Sequence, residues 1–237
     1  MGGSTYDHLP LLPSVDNGLR DLAGLLVDPT TGGVFRPELT TVLTNPGSSV
    51  ALFEALDHAS KKAKDTLLLY FAGHALVTRR GELTLAIAGT RPEADYTAAS
   101  YDSIRSLIAD SPARRSLVIL DCCYSGRSVN VMGTLSGLAD APSTYILTST
   151  GSAQVSLAPA GSMYTSFSGA LIDILRNGIS GGPKVLEIDS IYQAIYERSM
   201  REGIPRPQLR KTGDQRFALG WNRAAPQSPF GAVARAK

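Results

Sequence analysis

The sequence predicts an α/β domain in which a mostly parallel central sheet is flanked by helices. Three observations carry that expectation. Leu67–Phe71 and Leu117–Leu120 are continuous apolar runs of strand length, as strands buried on both faces require. Amphipathic segments of helical period lie around them. Strands and helices alternate along most of the chain, the order that gives parallel sheets. With 237 residues, 43% hydrophobic and 19% charged, one domain can bury a substantial core. That domain is expected to span residues 1–223, leaving Ala224–Lys237, rich in Ala, Pro and small residues, as a tail or linker.

Val15, Leu19, Leu22, Leu25 and Leu26 recur at helical spacing before Asp28-Pro29 and Gly32-Gly33 close a first helix. Leu39–Thr44 is short and β-branched, which predicts a strand ended by Asn45-Pro46-Gly47. Ser48 then caps a second helix through Val50, Leu52, Phe53, Leu56 and Ala63. Thr66–Phe71 reads as a buried strand ending at Gly73-His74, and Leu83–Ala88 as a hairpin or sheet strand. A helix over Tyr101–Ala109 precedes strands at Ser116–Leu120 and Tyr145–Thr148. Helices over Tyr164–Arg176 and Leu186–Arg201 follow, with a last strand at Phe217–Trp221. Gly126–Ser143 is a long connection, expected on the surface.

Twenty-three Lys+Arg against 21 Asp+Glu give a net charge of +2, with no basic block, so neither nucleic acid nor a membrane surface is an expected partner. No apolar run approaches the roughly 20 residues of a membrane helix. Met1–Asp7 has neither the charged start nor the apolar core of a secretory signal. The 2 cysteines, Cys122 and Cys123, are sequence neighbours that rarely reach disulfide geometry, which favours a reducing, cytoplasmic setting. Two adjacent Cys with scattered His do not supply the four ligands of a zinc site, so no metal is expected.

Reactive side chains stand at two strand ends: Tyr70-Phe71-Ala72-Gly73-His74-Ala75 and Leu120-Asp121-Cys122-Cys123-Tyr124-Ser125-Gly126. In open α/β sheets, sites lie beyond the carboxyl ends of the strands. Neighbouring strands run about 5 Å apart, so groups just past two adjacent ends can meet. A thiol beside an imidazole supports acyl transfer: the imidazole takes the thiol proton and later protonates the leaving amine.

These motifs resemble those of the caspase-like peptidases, the group of caspases, metacaspases and their bacterial relatives. The resemblance covers roughly residues 10–222, and His74 precedes Cys123 by the separation of about 50 residues found in caspases. Metacaspases are most similar, through the pattern Asp-x-Cys-x-Ser-Gly, which places the nucleophile on Cys123 and leaves Cys122 as its variable neighbour. The resemblance implies a caspase-like three-layer sandwich and a cysteine endopeptidase acting on proteins or peptides through a Cys123–His74 dyad. It implies an oxyanion site from the backbone N–H groups of Cys123 and Ala75, where the family usually has Gly. It also implies a pocket for the residue before the cleaved bond that uses Asp121 and Asp16, favouring Arg or Lys; at a helix start, Asp16 reads equally well as a cap. The family opens with an apolar strand where this chain has Met1-Gly2-Gly3, so a first strand is expected to be missing or trimmed. No cofactor is expected. Calcium activation is known in metacaspases, and Glu93, Asp95 or Asp110 are the available acids, but no run resembles a calcium loop. A regulatory domain or activating partner is a further expectation, and Arg127 in Gly126–Ser143 is a candidate point of self-cleavage.

Two rival readings stand beside the enzyme. A catalytically silent caspase-like binding module is suggested by Ala75 and the absent strand. A redox sensor built on Cys122-Cys123 would leave the His74 motif unexplained.

Overall fold

The computed structural model describes residues 1–124, 143–149, 161–213 and 215–225, with backbone alone at 123 and 124. The expectations placed on Arg127, on most of Gly126–Ser143 and on most of the tail lie outside the described residues. Five helices are described: α1 (Ser14–Val27), α2 (Ser49–Lys62), α3 (Tyr101–Ala109), α4 (Ser166–Asn177) and α5 (Ile188–Glu202). The strands are β1 (Thr66–Val77), β2 (Leu83–Leu85), β3 (Ala99–Ser100), β4 (Arg115–Tyr124), β5 (Thr144–Thr148), β6 (Val185–Glu187), β7 (Gln208–Lys211) and β8 (Ala218–Trp221).

Six strands form one sheet in the order β3-β2-β1-β4-β5-β7, while β6 and β8 pair separately. The central three, β1, β4 and β5, run parallel, and β2, β3 and β7 are antiparallel to their neighbours, so the sheet is mixed. Its two faces bury different partners, because successive residues of a strand point to opposite sides. Tyr70, Ala72, Leu117, Ile119 and Leu147 meet α1, α4 and α5 through Leu19, Leu22, Leu171 and Ile191. Leu69, Phe71, Val118, Leu120, Cys122 and Ile146 meet α2 and α3 through Leu52, Leu56 and Ile104. This is the three-layer sandwich that the motifs imply.

Several elements depart from the sequence expectation. Leu39–Thr44 is not a strand: Leu39 ends a short 3-10 turn, and only Thr44 bridges another backbone, at Gly2. A β-branched run cannot hold a ladder without a partner of its own length. Met1–Gly3 supplies the short partner, lying along β1, with Gly3 N–H on the Ala72 carbonyl at 3.0 Å and Ala72 N–H on Met1 at 3.2 Å. The strand read as ending before Gly73 runs on to Val77, because β2 pairs antiparallel with Ala75–Val77. Leu186 belongs to β6 rather than to the helix after it. Finally, β7 is an edge strand with no apolar run, so periodicity gives it no signal.

The start of β4 is fixed by Arg115. Its guanidinium donates to Thr66 Oγ1 at 2.9 Å and to Asp65 Oδ2 at 2.8 Å, and lies 5.8 Å from the centre of the Phe217 ring. That hydrogen bond from Arg115, with a second from Thr66, holds the Asp65 carboxyl below its usual pKa. From this pinned start the β1–β4 ladder runs unbroken from Thr66↔Arg115 to Ala75↔Tyr124.

Candidate active site

The parallel ladder sets His74 opposite Cys123. Both residues therefore lie inside strands rather than in loops past their ends, and the two backbones meet at the strand spacing of about 5 Å. The Cys123 side chain lies outside the described residues. Cys122, one step back, is fully buried against α2 and α3.

His74 is 5% exposed and is gripped by the segment that precedes α1. Its Nε2 lies 2.9 Å from the Pro10 carbonyl, which can only accept, so Nε2 carries the hydrogen. In the neutral ring the lone pair then sits on Nδ1. The His74 backbone N–H donates to the Tyr6 hydroxyl at 3.1 Å, and the Tyr6 ring leans on the imidazole with centroids 4.9 Å apart. Gly73, at φ +151°, takes a backbone conformation that other residues rarely adopt.

Ala75 is completely buried within β1, in register with Leu85 on one side and Tyr124 on the other. Among the described residues, the non-glycine positions with positive φ are Asn45 and Ser143, so Ala75 keeps ordinary strand geometry.

Asp121 is 2% exposed, beneath the start of α4. One of its oxygens, Oδ2, accepts from Thr165 and Ser168 at 2.5 Å each and from Tyr70 at 3.3 Å. Thr165 caps α4 by accepting the Ser168 N–H at 3.0 Å, so the carboxylate sits at the positive end of that helix. Burial, and then the Asp121 charge, push the Tyr70 phenol well above its usual pKa, which keeps it a neutral donor.

Asp16 is half-buried in the first turn of α1. Its Oδ2 accepts from the buried Ser4 hydroxyl at 2.8 Å, whereas its buried Oδ1 has no hydrogen-bond partner among the described residues. Ser4 is itself held by Asn45, whose side-chain oxygen takes the N–H groups of Ser4 and Thr5 at 2.7 and 3.1 Å. Asn45 does this from a left-handed backbone, φ 49°. Pro10, Tyr6, Ser4, Asn45, Tyr70, Thr165 and Ser168 were all missed by the sequence reading. Tyr70 stands in the first strand-end motif, but nothing local signals its bond to Asp121, and the others reach their partners from distant parts of the chain.

Glu93, Asp95 and Asp110 do not gather into a cation site: no group of three or more His, Cys, Asp or Glu able to hold a metal occurs among the described residues. No helix among the described residues is long and apolar enough to cross a membrane.

Comparison with known proteins agrees with this architecture. The chain resembles caspase-1 from Spodoptera frugiperda with a TM-score of 0.65 at 13% identity, over 95% of this chain and 91% of that one. It resembles a crystallised protein of Geobacter sulfurreducens with a TM-score of 0.59 at 14% identity, over 91% of this chain and 94% of the other. A search of curated proteins finds no match. The sequence model of the caspase domain, peptidase family C14, matches residues 2–210. With that match over most of its length, the chain belongs to the caspase domain family, a family of cysteine peptidases.

Proposed function

We propose that this chain is a metacaspase-like cysteine endopeptidase that cleaves proteins or peptides after Arg or Lys, with Cys123 as nucleophile and His74 as acid–base group. The observation that carries the reading is the register that sets His74 opposite Cys123 while the Pro10 carbonyl holds Nε2–H. His74 Nδ1 takes the thiol proton as sulfur bonds to the substrate carbonyl carbon. The imidazolium then protonates the departing amine nitrogen as the C–N bond breaks, leaving a thioester. Water attacks that carbonyl, gives one proton to Nδ1, and the C–S bond breaks to release the acid and restore the dyad. The Cys123 and Ala75 N–H groups are the oxyanion donors in this reading. Asp121 and Asp16 offer the negative charge that a basic side chain would meet. The thiol chemistry suits a reducing cytoplasm, and a further domain or partner is the expected source of control.

A second reading, the silent binding module, is favoured by one observation: Ala75 lies inside the ladder between two strands, where backbone N–H groups point along the sheet. A single experiment separates the two. A library of peptides is incubated with the wild type, Cys123→Ala and Cys122→Ala. Wild type and Cys122→Ala are expected to cleave after Arg or Lys, and Cys123→Ala to be inert. Loss of activity in Cys122→Ala alone would move the nucleophile, and an inert wild type would favour the binding module. In the same assay His74→Ala is expected to lower turnover by about 10²-fold or more.

A further inference from the structure

We propose that Tyr6 is a positioning residue that locks the His74 ring in the tautomer and orientation that proton transfer needs. The proposal rests on His74 being the acid–base group. Three parts of one histidine are held by the stretch from Gly3 to Pro10. The Tyr6 hydroxyl accepts the His74 backbone N–H at 3.1 Å and donates its proton to the Gly3 carbonyl at 2.8 Å, so both of its roles are fixed. The Tyr6 ring lies tilted by 57° against the imidazole, which limits rotation of the histidine side chain. Pro10, four positions along, places its carbonyl 2.9 Å from Nε2.

The seat of the hydroxyl is shaped to admit nothing else. A Cβ at Gly3 would stand 2.3 Å from it and a Cβ at Gly73 2.6 Å, so a side chain at either position displaces it. The stretch is closed upon itself by Leu12 N–H on the Ser4 carbonyl, 2.8 Å, and tied to the turn that follows β2 by Asp7 N–H on the Ala88 carbonyl, 2.9 Å. Pinning Tyr6 to the backbone of His74 therefore also pins the carbonyl that selects the ring tautomer. A neutral imidazole in water populates both tautomers. Only the form with hydrogen on Nε2 presents a lone pair at Nδ1.

The test uses the full chain with ¹⁵N-labelled histidine, the resonances of His74 being identified among the 3 histidines through His74→Ala. Long-range ¹H–¹⁵N spectra of the wild type, recorded where the ring is neutral, are expected to show a single Nε2–H tautomer. In Tyr6→Phe, which keeps the ring but loses the hydroxyl, both tautomers should appear, and kcat should fall about tenfold with KM changed less than about twofold. Gly3→Ala, which crowds the hydroxyl out, should reproduce the mixture and serves if Tyr6→Phe does not fold. A wild-type ring protonated on Nδ1 or present as a mixture overturns the proposal. So does a folded Tyr6→Phe with the wild-type tautomer. The spectra need no turnover, so a wild type that cleaves no peptide defeats the peptidase reading while they still decide the role of Tyr6.

Discussion

Asp16 and Asp121 answer to the same expectation, a carboxylate for a basic substrate side chain, yet the fold holds them differently. Asp121 is nearly inaccessible, and a single oxygen takes three hydroxyl donors from β1 and the start of α4. Asp16 is half-buried, with one oxygen on Ser4 and the other buried but unmatched among the described residues. A buried carboxylate oxygen without a donor is costly, and an incoming cation is one way to repay that cost. The difference lies in what each carboxylate already holds. Asp121 fastens α4 to the sheet through Thr165 and Ser168, whereas Asp16 has one oxygen unmatched among the described residues, the one that the proposed function gives to a basic side chain.

The sharpest way to break this contrast is Asp121→Ala. It takes away the shared acceptor of Thr165 and Ser168, leaves Tyr70 and Ser168 only each other at 2.6 Å, opens a cavity, and should cost about 3 kcal/mol of stability, read as a lower denaturant midpoint with unchanged slope. A variant as stable as wild type would mean that Asp121 is no fastener. Asp16→Asn should leave the midpoint nearly in place while kcat/KM for an Arg substrate drops about tenfold, or ~1.4 kcal/mol, relative to a neutral one. If the neutral substrate suffers equally, Asp16 belongs to the helix start and not to the pocket. Ser4→Ala should give the smallest effect, about threefold in the same ratio, because it frees the Asp16 carboxylate without removing its charge. That change should vanish in the Asp16→Asn background, and a full threefold loss there would show that Ser4 acts by another route.

The same contrast explains what could be read in advance. The apolar runs before His74 and Asp121 declare two buried strands, because hydrophobic continuity is a local property, whereas their pairing side by side is seen only in the sheet. The apolar runs end before the strands do: Gly73 reads as a turn, yet it pairs with Cys122 in a ladder that β2 carries on from Ala75 to Val77. What fastens each acid is carried by contacts made far along the chain. Ser168 reaches Asp121 from 47 residues away, and Pro10 reaches His74 from 64. Serine and proline at such separations have no pattern that periodicity or motif spacing can expose. Asn45 reads as a chain breaker. Its left-handed backbone bears that out, yet its side chain also organises Ser4, and through Ser4 Asp16.

The ladder that begins at Thr66 and Arg115 has a genetic consequence. The same number of residues separates Thr66 from His74 and Arg115 from Cys123, so length alone decides who faces whom. Between those points, apolar residues of similar volume can replace one another at the cost of packing only. A single codon inserted in β4 ahead of Cys122 would instead bring Cys122 opposite His74 and turn every displaced side chain to the other face. Drift in composition is open to these strands, and drift in length is closed.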